Sequence, residues 1–472
     1  MGKEYSWMLS WRMNRFFWMI FFLFMAFIAN AAPQKRPQEE EKRKTLEAAP
    51  SHILAEKKNV RFDYGAWVNF LTIDYTNNDN NAEDMDSLDE LYEVDTRLWF
   101  KTTIKPAPEA LNDDEHMLYV RFKDLNSHLL PRDTAGGYDH DGPHLDYAYW
   151  TSKRFPHKIE IGRRYFAIGR GIAYSNVNDG LQWNYTPQDW DLEALVAHTL
   201  PHEDNIDASV PGYSKNSDRF YYGLGLSHPG WGEQQLYTYG LIQRDQSDED
   251  PTAADQHYAY NSHYVGAGVE GAVWAADYWL EVIKEGGTSY VFGTNAKSEV
   301  DAWAVDIGVE KEFPLYGRPE VSLEYALGSG DSDRIIVTDT ELGNISGDDH
   351  NFLYFGYFPA GYALAPRLSN IQIYRGSVTC HPWQKVRWLR HFSLGVDYYR
   401  YYKHKAKGWI SDLDASLVSQ DIGSEVDVTL SWQILSDLRW AIRFGHFRPG
   451  EAYPDSANDP ENYLSNSITI TF

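Results

Sequence analysis

The sequence predicts an all-β fold: a transmembrane antiparallel β-barrel of the outer-membrane type with about 18 strands. Three observations lead to it. Apolar and polar residues alternate along successive segments, and these segments are long. The connections between them are alternately short and long. Strands of globular domains average about five or six residues, whereas a strand tilted across a bilayer needs about nine to eleven. Closure into a barrel pairs every backbone N–H and C=O group that would otherwise face lipid.

The N-terminal segment has the pattern of a secretory signal peptide. Basic residues precede an apolar run over 16–28, and the small residues Ala29 and Ala31 then supply a cleavage signature. Because the run is shorter than a comfortable membrane span, we expect residues 1–31 to be removed on export to the cell outer membrane. An uncleaved N-terminal anchor is the alternative.

Residues 32–60 differ in composition from the segments on either side. Pro and mixed charges dominate there, and Phe, Tyr and Trp are absent. Segments of this composition bury too little apolar surface to form a packed core. We therefore expect a flexible periplasmic leader at 32–60, with a short helix as the alternative, and the β-barrel at 61–472.

Four stretches show the alternation most clearly: "DTRLWFKTTIK", "HMLYVRFKD", "SEVDVTLSWQ" and "SDLRWAIRFG". In the first, Leu98 and Phe100 fall on one face of a strand, whereas Arg97 and Lys101 fall on the other. A soluble β-sandwich or solenoid is the competing fold, but it would place its charged face in water and would not enclose Arg, Asp and Glu. The pattern therefore predicts an apolar face toward lipid and a polar face toward a lumen.

The connections come in two sizes. Short ones include "EFPLYGRPE" and "LSD", and long acidic ones include "NNDNNAEDMDSLDE", "RDTAGGYDHDGPH", "RDQSDEDPTAADQH" and "GSGDSDRIIVTDTELGNISGDDH". Outer-membrane barrels have tight periplasmic turns and bulky outer loops. The formal net charge of −25 then lies largely in the loops, where salt screens it within about 10 Å, and it argues against a nucleic-acid partner.

Charged residues on the polar faces are candidates for the lumen. A guanidinium fork suits carboxylates, so the basic ones are candidate contacts for an anionic cargo, and the alternative for each is an ion pair within the wall. The basic candidates on the strands are Arg97, Lys101, Arg121, Lys123, Arg164, Arg244, Arg439 and Arg443. The acidic candidates are Glu160, Glu281, Glu324, Glu425 and Asp427.

The densest basic motif is "IEIGRRYFAIGRGIAYSNVNDGLQWNY" at 159–185. It brings Arg163, Arg164 and Arg170 together, and we expect them to concentrate positive charge at one level of the wall. Gly in a strand permits a bend, a bulge or the close approach of a ligand. Whether Arg163 or Arg164 points inward depends on such a bulge.

This block resembles the Gly-Arg-Gln segment of the alginate export porin family, although Arg164 stands where the family has Gln. The stretches "YEVDTRLWFK", "LSNIQIYRGSVTCHPWQKV" and "GHFRPGEAYP" resemble the same family. The resemblance implies an eighteen-stranded outer-membrane barrel with an Arg-rich constriction that passes a polyuronate. Implied partners are outer-membrane lipid, the barrel assembly machinery, an anionic polysaccharide and periplasmic secretion components.

The predicted function is an outer-membrane channel that passes an anionic polysaccharide outward through an Arg-lined lumen. A general or carbohydrate-selective diffusion porin for small solutes is the alternative, and a structural barrel or adhesin is a third. The sequence has no G-x-S-x-G, P-loop or H-E-x-x-H motif, so we expect neither catalysis nor a cofactor. "YDHDGPHLD" has metal-ligand residue types, but the spacing matches no defined metal site, and we expect a solvated acidic loop.

The stretch "NYLSNSITITF" reads as the last barrel strand. Leu464, Ile468, Ile470 and Phe472 share its apolar face. We expect this strand to close the sheet against the first one near "DYGAWVNFLTIDY", so that no edge stays open. Phe472 resembles the terminal aromatic signal that the outer-membrane assembly machinery reads.

Overall fold

A computed structural model describes most of the predicted barrel. The described residues are 52–57, 59–76, 90–105, 114–130, 137–200, 218–230, 234–246, 260–291, 294, 296–334, 337–338 and 343–472. The predicted signal peptide and the leader up to residue 51 lie outside them. Within these ranges, no helix is both long and apolar enough to cross a membrane.

The described residues form nineteen strands. In chain order they are β1 (His52–Lys57), β2 (Val60–Thr76), β3 (Glu90–Ile104), β4 (Glu115–Leu130), β5 (Gly137–Arg154), β6 (His157–Ile168), β7 (Tyr174–Tyr185), β8 (Asp191–His198), β9 (Arg219–Pro229), β10 (Gln235–Asp245), β11 (Asn261–Val273), β12 (Ala276–Tyr290), β13 (Lys297–Glu312), β14 (Glu320–Gly328), β15 (Ile371–Cys380), β16 (Phe392–Lys403), β17 (Asp421–Gln433), β18 (Leu438–Pro449) and β19 (Glu461–Thr471). From β2 onward each strand pairs antiparallel with the next, and β19 pairs with β2. Eighteen strands therefore close into a barrel, which confirms the predicted fold class.

Closure uses the strand that the sequence identifies as the last one. β19 runs against β2 as far as Thr471, which lies opposite Trp67, and Phe472 then exchanges two backbone hydrogen bonds with Ala66, of 2.8 and 3.2 Å. β1 pairs with the part of β2 that β19 leaves uncovered, from Val60 to Tyr64. β1 thus lies within the predicted leader, and β2 is paired along nearly its whole length on this side.

The two faces of the wall differ as the alternation predicts. On β3, Leu98 and Phe100 are 41% and 42% exposed and point outward, whereas Trp99 between them is 2% exposed and points inward. Outward apolar side chains recur around the ring: Leu118, Phe122, Leu224, Leu236, Val265, Val282, Val396, Phe444, Leu464 and Ile468. They form the apolar surface that a barrel presents to lipid.

Short and long connections alternate between the two ends of the barrel. Turns such as 155–156, 274–275 and 434–437 lie at one end, here called the short-turn end. Connections such as 404–420 and 450–460 lie at the other, the long-loop end. The long-loop end also contains the two segments that fold into the lumen.

The prediction of a loop at "RDTAGGYDHDGPH" is wrong. Most of this stretch, together with "YDHDGPHLD", belongs to β5, which pairs with β4. The register of that pairing has two irregularities. This part of β5 lacks apolar alternation because the ladder extends beyond the apolar band into water. Backbone pairing there needs no lipid-facing side chains. Among the described residues, no three His, Cys, Asp or Glu side chains are grouped to hold a metal ion.

The β6–β7 hairpin leaves the wall. These strands pair with each other up to Ile168 and Tyr174, but β5 pairs with β6 only to Arg163, and β8 pairs with β7 only to Asp179. Residues 164–178 therefore form a free two-stranded ribbon, which we call the inward hairpin. Gly162, with φ of 124°, lies at its base, where a Cβ atom would collide with the Ala148 carbonyl.

The connection between β14 and β15, residues 329–370, is the second inward segment, and we call it the inward loop. Its residues Phe352, Leu353 and Tyr354 are almost fully buried. It meets the tip of the inward hairpin, where the Phe355 N–H donates to the Ala173 carbonyl oxygen at 3.0 Å. The main apolar cluster joins both segments to aromatic side chains of the wall, so the core of this barrel lies inside the lumen.

Candidate functional site

Three buried glutamates on the inward face of the wall hold the inward segments. Glu281 and Glu285 belong to β12 and Glu425 to β17, and each is 0% exposed. Each accepts a hydrogen bond from at least one tyrosine hydroxyl of the wall and at least one from a backbone N–H of an inward segment. This shared pattern satisfies N–H groups that no strand partner reaches.

Glu281 fixes the tip of the inward hairpin. It accepts hydrogen bonds from the Arg170 N–H at 2.9 Å and from the Tyr239 hydroxyl at 2.6 Å. The Arg170 side chain donates to Asp306 on β13 at 2.9 Å and lies 4.8 Å from the centre of the Trp279 ring. Arg170 therefore joins the hairpin to the wall at β12 and β13. It does not lie at one level of the wall with Arg163 and Arg164, contrary to the expectation from the sequence.

Glu285 and Glu425 fix the inward loop. Glu285 accepts from the Leu353 N–H at 2.9 Å, and Glu425 accepts from the N–H groups of Tyr362 and Ala363, both at 2.7 Å. The hydroxyl of Tyr401 donates to Glu425 at 3.0 Å. The wall between β12 and β17, here called the anchor wall, thus uses these carboxylates to position backbone.

The neighbouring part of the wall, β18, β19 and β2 to β4, is here called the basic wall. On it Arg97 and Arg121 share the carboxylate of Asp146, at 2.9 and 2.6 Å. Arg97 also pairs with Asp95 at 2.8 Å. Their guanidinium groups lie over aromatic rings: Arg97 lies 4.7 Å from the centre of the Trp67 ring. Both arginines are held in ion pairs within the wall.

Other cations of the basic wall are held more loosely. Lys101 lies 3.9 Å from Asp63, and Lys123 lies 4.0 Å from an oxygen of Asp141. Arg439 is exposed and donates to the Ser431 hydroxyl at 3.2 Å. Among the residues that the structure describes, neither Arg439 nor its lumen-facing neighbour Arg443 has a carboxylate within salt-bridge distance, so their charge is available to a solute.

The two arginines at the base of the inward hairpin lie on opposite faces of it. Arg164 is on the same face as Glu160, with which it pairs, and its guanidinium group lies 5.8 Å from the Tyr149 ring centre. Arg163 is on the other face, pairs with Asp179 at 3.0 Å and donates to the Leu145 carbonyl oxygen. Both contacts are local and fix the point where the ribbon leaves the wall.

Arg244 corrects the sequence prediction. It is exposed on the outward face of β10, the face of Ile242, whereas Gln243 and Asp245 are buried and point inward. The strand has a polar residue on both faces at its end, so residue type alone misassigned the side chain. Arg244 lies at the long-loop end, where an outward charge leaves the apolar band, and it is not a lumen residue.

The positions of the buried acids follow from the alternation in the sequence, but their role does not. Glu160, Glu324 and Asp427 are buried on inward faces with Glu281 and Glu425, as expected of lumen residues. Only the fold reveals which carboxylates hold inward backbone. A signal for the inward loop is nevertheless present: "NFLYFGYFPAGYALA" is dense in aromatic residues without period-two alternation, which indicates a buried irregular segment.

A closed barrel with an outward apolar surface, a polar lumen and two segments folded into that lumen defines the protein as an outer-membrane channel. The sequence matches the model of the alginate export family over residues 123–466. The chain belongs to the alginate export family, as its motifs predicted. A comparison with curated protein sequences finds no match.

Solved porin structures share the fold. OccK8 (OprE) of Pseudomonas aeruginosa has 13% identity and a TM-score of 0.53, covering 87% of this chain and 98% of its own. OccAB1 of Acinetobacter baumannii has 13% identity and a TM-score of 0.51, covering 90% and 99%. OpdK of Pseudomonas aeruginosa, solved with vanillate, has 11% identity and a TM-score of 0.51, covering 87% and 98%. At these identities, the likeness concerns the fold.

Proposed function

We propose that the protein is an anion-selective outer-membrane channel that passes an anionic polysaccharide, an alginate-like polyuronate, outward. One observation carries the proposal: the two sides of the lumen differ in which charges a solute can reach. The three glutamates of the anchor wall are fully buried and bonded to the inward segments, whereas Arg439 is exposed and Arg443 and Lys101 are partly exposed. The charge that a solute meets at Arg439 and Arg443 is therefore positive, although the chain as a whole is acidic.

The accessible cations suit carboxylates along a sugar chain. A guanidinium fork or an ammonium group replaces water around each carboxylate, and contacts of this kind must stay weak and numerous for the cargo to leave. Tyr75 and Tyr463 are half-buried on the lumen faces of β2 and β19, where their rings lie 5.1 Å apart and offer apolar faces to sugar rings. The outward direction is supported by the description of the family as alginate export.

The alternative is a diffusion porin for small anionic solutes. The contact between the inward hairpin and the inward loop narrows the lumen and favours short solutes. The similar OpdK structure was solved with vanillate, a small carboxylate. Both candidates need accessible cations, so the length of the cargo distinguishes them.

The test of anion preference is the reversal potential of the full-length protein in planar bilayers under a KCl gradient. Arg439→Gln/Arg443→Gln should lower the chloride preference about fivefold for each arginine removed, since a cation at 4 Å contributes about 1 kcal/mol in water-like surroundings. The matched control, Arg154→Gln/Arg244→Gln, removes the same charge outside the lumen and should change little. Equal permeability of K⁺ and Cl⁻ in the unmodified channel would contradict the proposal.

The test of cargo is the blockade of the same channel by carbohydrate chains. Long polyuronate chains should interrupt the current, neutral dextrans of the same length should not, and the double lumen variant should shorten each polyuronate event. Blockade by short uronates alone would support the diffusion porin instead.

A further inference from the structure

The turn between β15 and β16, residues 381–391, is a basic patch in an acidic protein. No Asp or Glu occurs from Thr379 to Val396, whereas the turn contains His381, Lys385, Arg387, Arg390 and His391. It lies at the short-turn end of the barrel, and the proposed passage of a carbohydrate does not use it.

A cavity of about 320 Å³ lies between this turn and the neighbouring turn at 434–437. Its lining has a cationic part and an apolar part. The cationic part comes from Arg387 and Arg390, beside His391, and the apolar part comes from Trp388, Ile434 and Leu435. Trp388 and Leu435 are 64% and 59% exposed, so the apolar part has no cover within the described protein.

The position of Trp388 shows which side of the wall the cavity adjoins. Its ring lies 5.6 Å from that of Trp432, whose indole N–H donates to the Trp388 carbonyl oxygen at 3.0 Å. Trp432 points outward from β17 and pairs in register with Trp440 of β18. Three tryptophans therefore lie on or beside the outer surface near the short-turn end, and such aromatic belts mark the level of the lipid headgroups.

The cations of the cavity are not neutralised by carboxylates. Within the described part of the chain, no Asp or Glu lies within salt-bridge distance of Arg387 or Arg390, and Arg390 donates to His391 Nε2 at 2.8 Å. A ligand that fits needs an anionic group for the arginines and an apolar part for Trp388 and Leu435.

We propose that this cavity binds an anionic phospholipid of the adjoining membrane leaflet. Arg387 and Arg390 bind the headgroup phosphate, and the acyl chain lies along Trp388 and Leu435. Basic pockets beside a membrane-spanning surface bind anionic headgroups in this way, and the aromatic belt places the cavity at the required depth. This site is independent of the cargo that passes through the lumen.

The test is native mass spectrometry of the full-length protein released from detergent with equimolar dioleoylphosphatidylglycerol and dioleoylphosphatidylcholine. The unmodified protein should retain phosphatidylglycerol in preference. Arg387→Gln/Arg390→Gln should weaken that retention about fivefold for each arginine removed, and Arg387→Lys/Arg390→Lys should preserve most of it. The control Lys105→Gln/Arg154→Gln removes two exposed charges at the same end and should behave like the unmodified protein.

Three outcomes would overturn the proposal. Equal retention of the two lipids would exclude an anionic headgroup site, and full retention by the glutamine double variant would place the lipid elsewhere. Competition by millimolar glycerol phosphate as effective as that by the lipid would indicate a site for free phosphate. Heat-modified mobility in gel electrophoresis, measured for every variant, ensures that only folded barrels are compared.

Discussion

The anchor wall and the basic wall are neighbouring parts of one barrel, where β17 pairs with β18, but they use charged side chains differently. On the anchor wall, glutamates are fully buried and hold backbone N–H groups of the inward segments. On the basic wall, Arg439 and Arg443 have no carboxylate partner among the described residues and remain open to water. The charge that a solute meets in the lumen therefore depends on which charged side chains stay exposed, and not on the number of acidic and basic residues in the wall.

The glutamates of the anchor wall are buried because the irregular backbone of the inward segments requires hydrogen-bond acceptors. A loop inside a barrel has N–H groups without strand partners, and each one left unsatisfied when buried costs free energy comparable to a lost hydrogen bond. A carboxylate accepts several N–H bonds at once, and these charge-assisted bonds are roughly twice as strong as neutral ones. The three glutamates of the anchor wall therefore bind the inward segments and are not accessible to a solute.

The largest effect is expected from substituting Glu425, which holds the inward loop on the anchor wall. Glu425→Gln replaces one acceptor oxygen by a donor facing the N–H groups of Tyr362 and Ala363. Two charge-assisted hydrogen bonds of about 1.5–3 kcal/mol each are weakened, so the inward loop should detach while the barrel stays closed. Single-channel conductance should rise, and trypsin should cleave after Arg367 in the loop.

Glu299→Gln is the matched control, because Glu299 is exposed on the outward face of β13 and its carboxylate lies away from the loop. It should leave both the conductance and the proteolysis unchanged. Unchanged conductance and protection of Arg367 in Glu425→Gln would show that the loop is held by its apolar contacts alone.

The fold could be predicted from the sequence because strands that cross a bilayer have a simple pattern, with apolar side chains at every second position. Leu98 and Phe100 must face lipid, Arg97 and Lys101 cannot, and this constraint repeats around the ring. This alternation is a weaker guide at the strand ends, because water replaces lipid there and both faces of the strand accept polar residues. That is why Arg244 was assigned to the wrong face and why the polar end of β5 was taken for a loop.

The site could be predicted in part. The lumen positions of Arg97, Arg121 and Arg439 follow from the same alternation, whereas their roles as contacts for cargo remain predictions. The role of Arg170 did not follow, because its partners Glu281 and Asp306 are distant in sequence and meet it only when the inward hairpin crosses the lumen. Phe472 is exposed on the outward face, and its use as an assembly signal likewise remains a prediction.

A smaller effect is expected from Asp146, which lies on β5 beside the basic wall. Asp146→Asn removes the carboxylate that Arg97 and Arg121 share, so the accessible positive charge increases by one unit. Chloride preference should rise about fivefold, by about 1 kcal/mol, as measured by the reversal potential. The thermal stability of the barrel should fall, because Arg121 is buried and loses its partner.

Glu312→Gln supplies the comparison for Asp146→Asn. It frees Arg318 from an exposed ion pair at the short-turn end, and it changes the formal charge by the same amount outside the lumen. A chloride preference that rises equally in both variants would mean that the total charge, and not the charge of the basic wall, sets the selectivity.

The smallest effect concerns His404, in the connection after β16. Its Nδ1 accepts a hydrogen bond from the Gly330 N–H, at the start of the inward loop, at 3.1 Å. Burial, with a smaller contribution from Lys405, lowers the pKa of His404 below its ordinary value of 6.5, because both disfavour the charged ring. Neutral His404 therefore holds the loop above pH 6.5, and this contribution is lost as the pH falls through the lowered pKa.

His404→Asn tests this anchor, because the Asn side-chain oxygen replaces Nδ1 as an acceptor but does not titrate. Conductance of the unmodified channel should increase as the pH falls from 7.5 to 5, by fivefold at most, since a hydrogen bond of this kind contributes about 1 kcal/mol. The increase should be absent in His404→Asn and present in His263→Asn, which changes an exposed outward histidine of β11. If His404→Asn keeps the full pH response, another group controls the loop, and the glutamates of the anchor wall become the groups to substitute next.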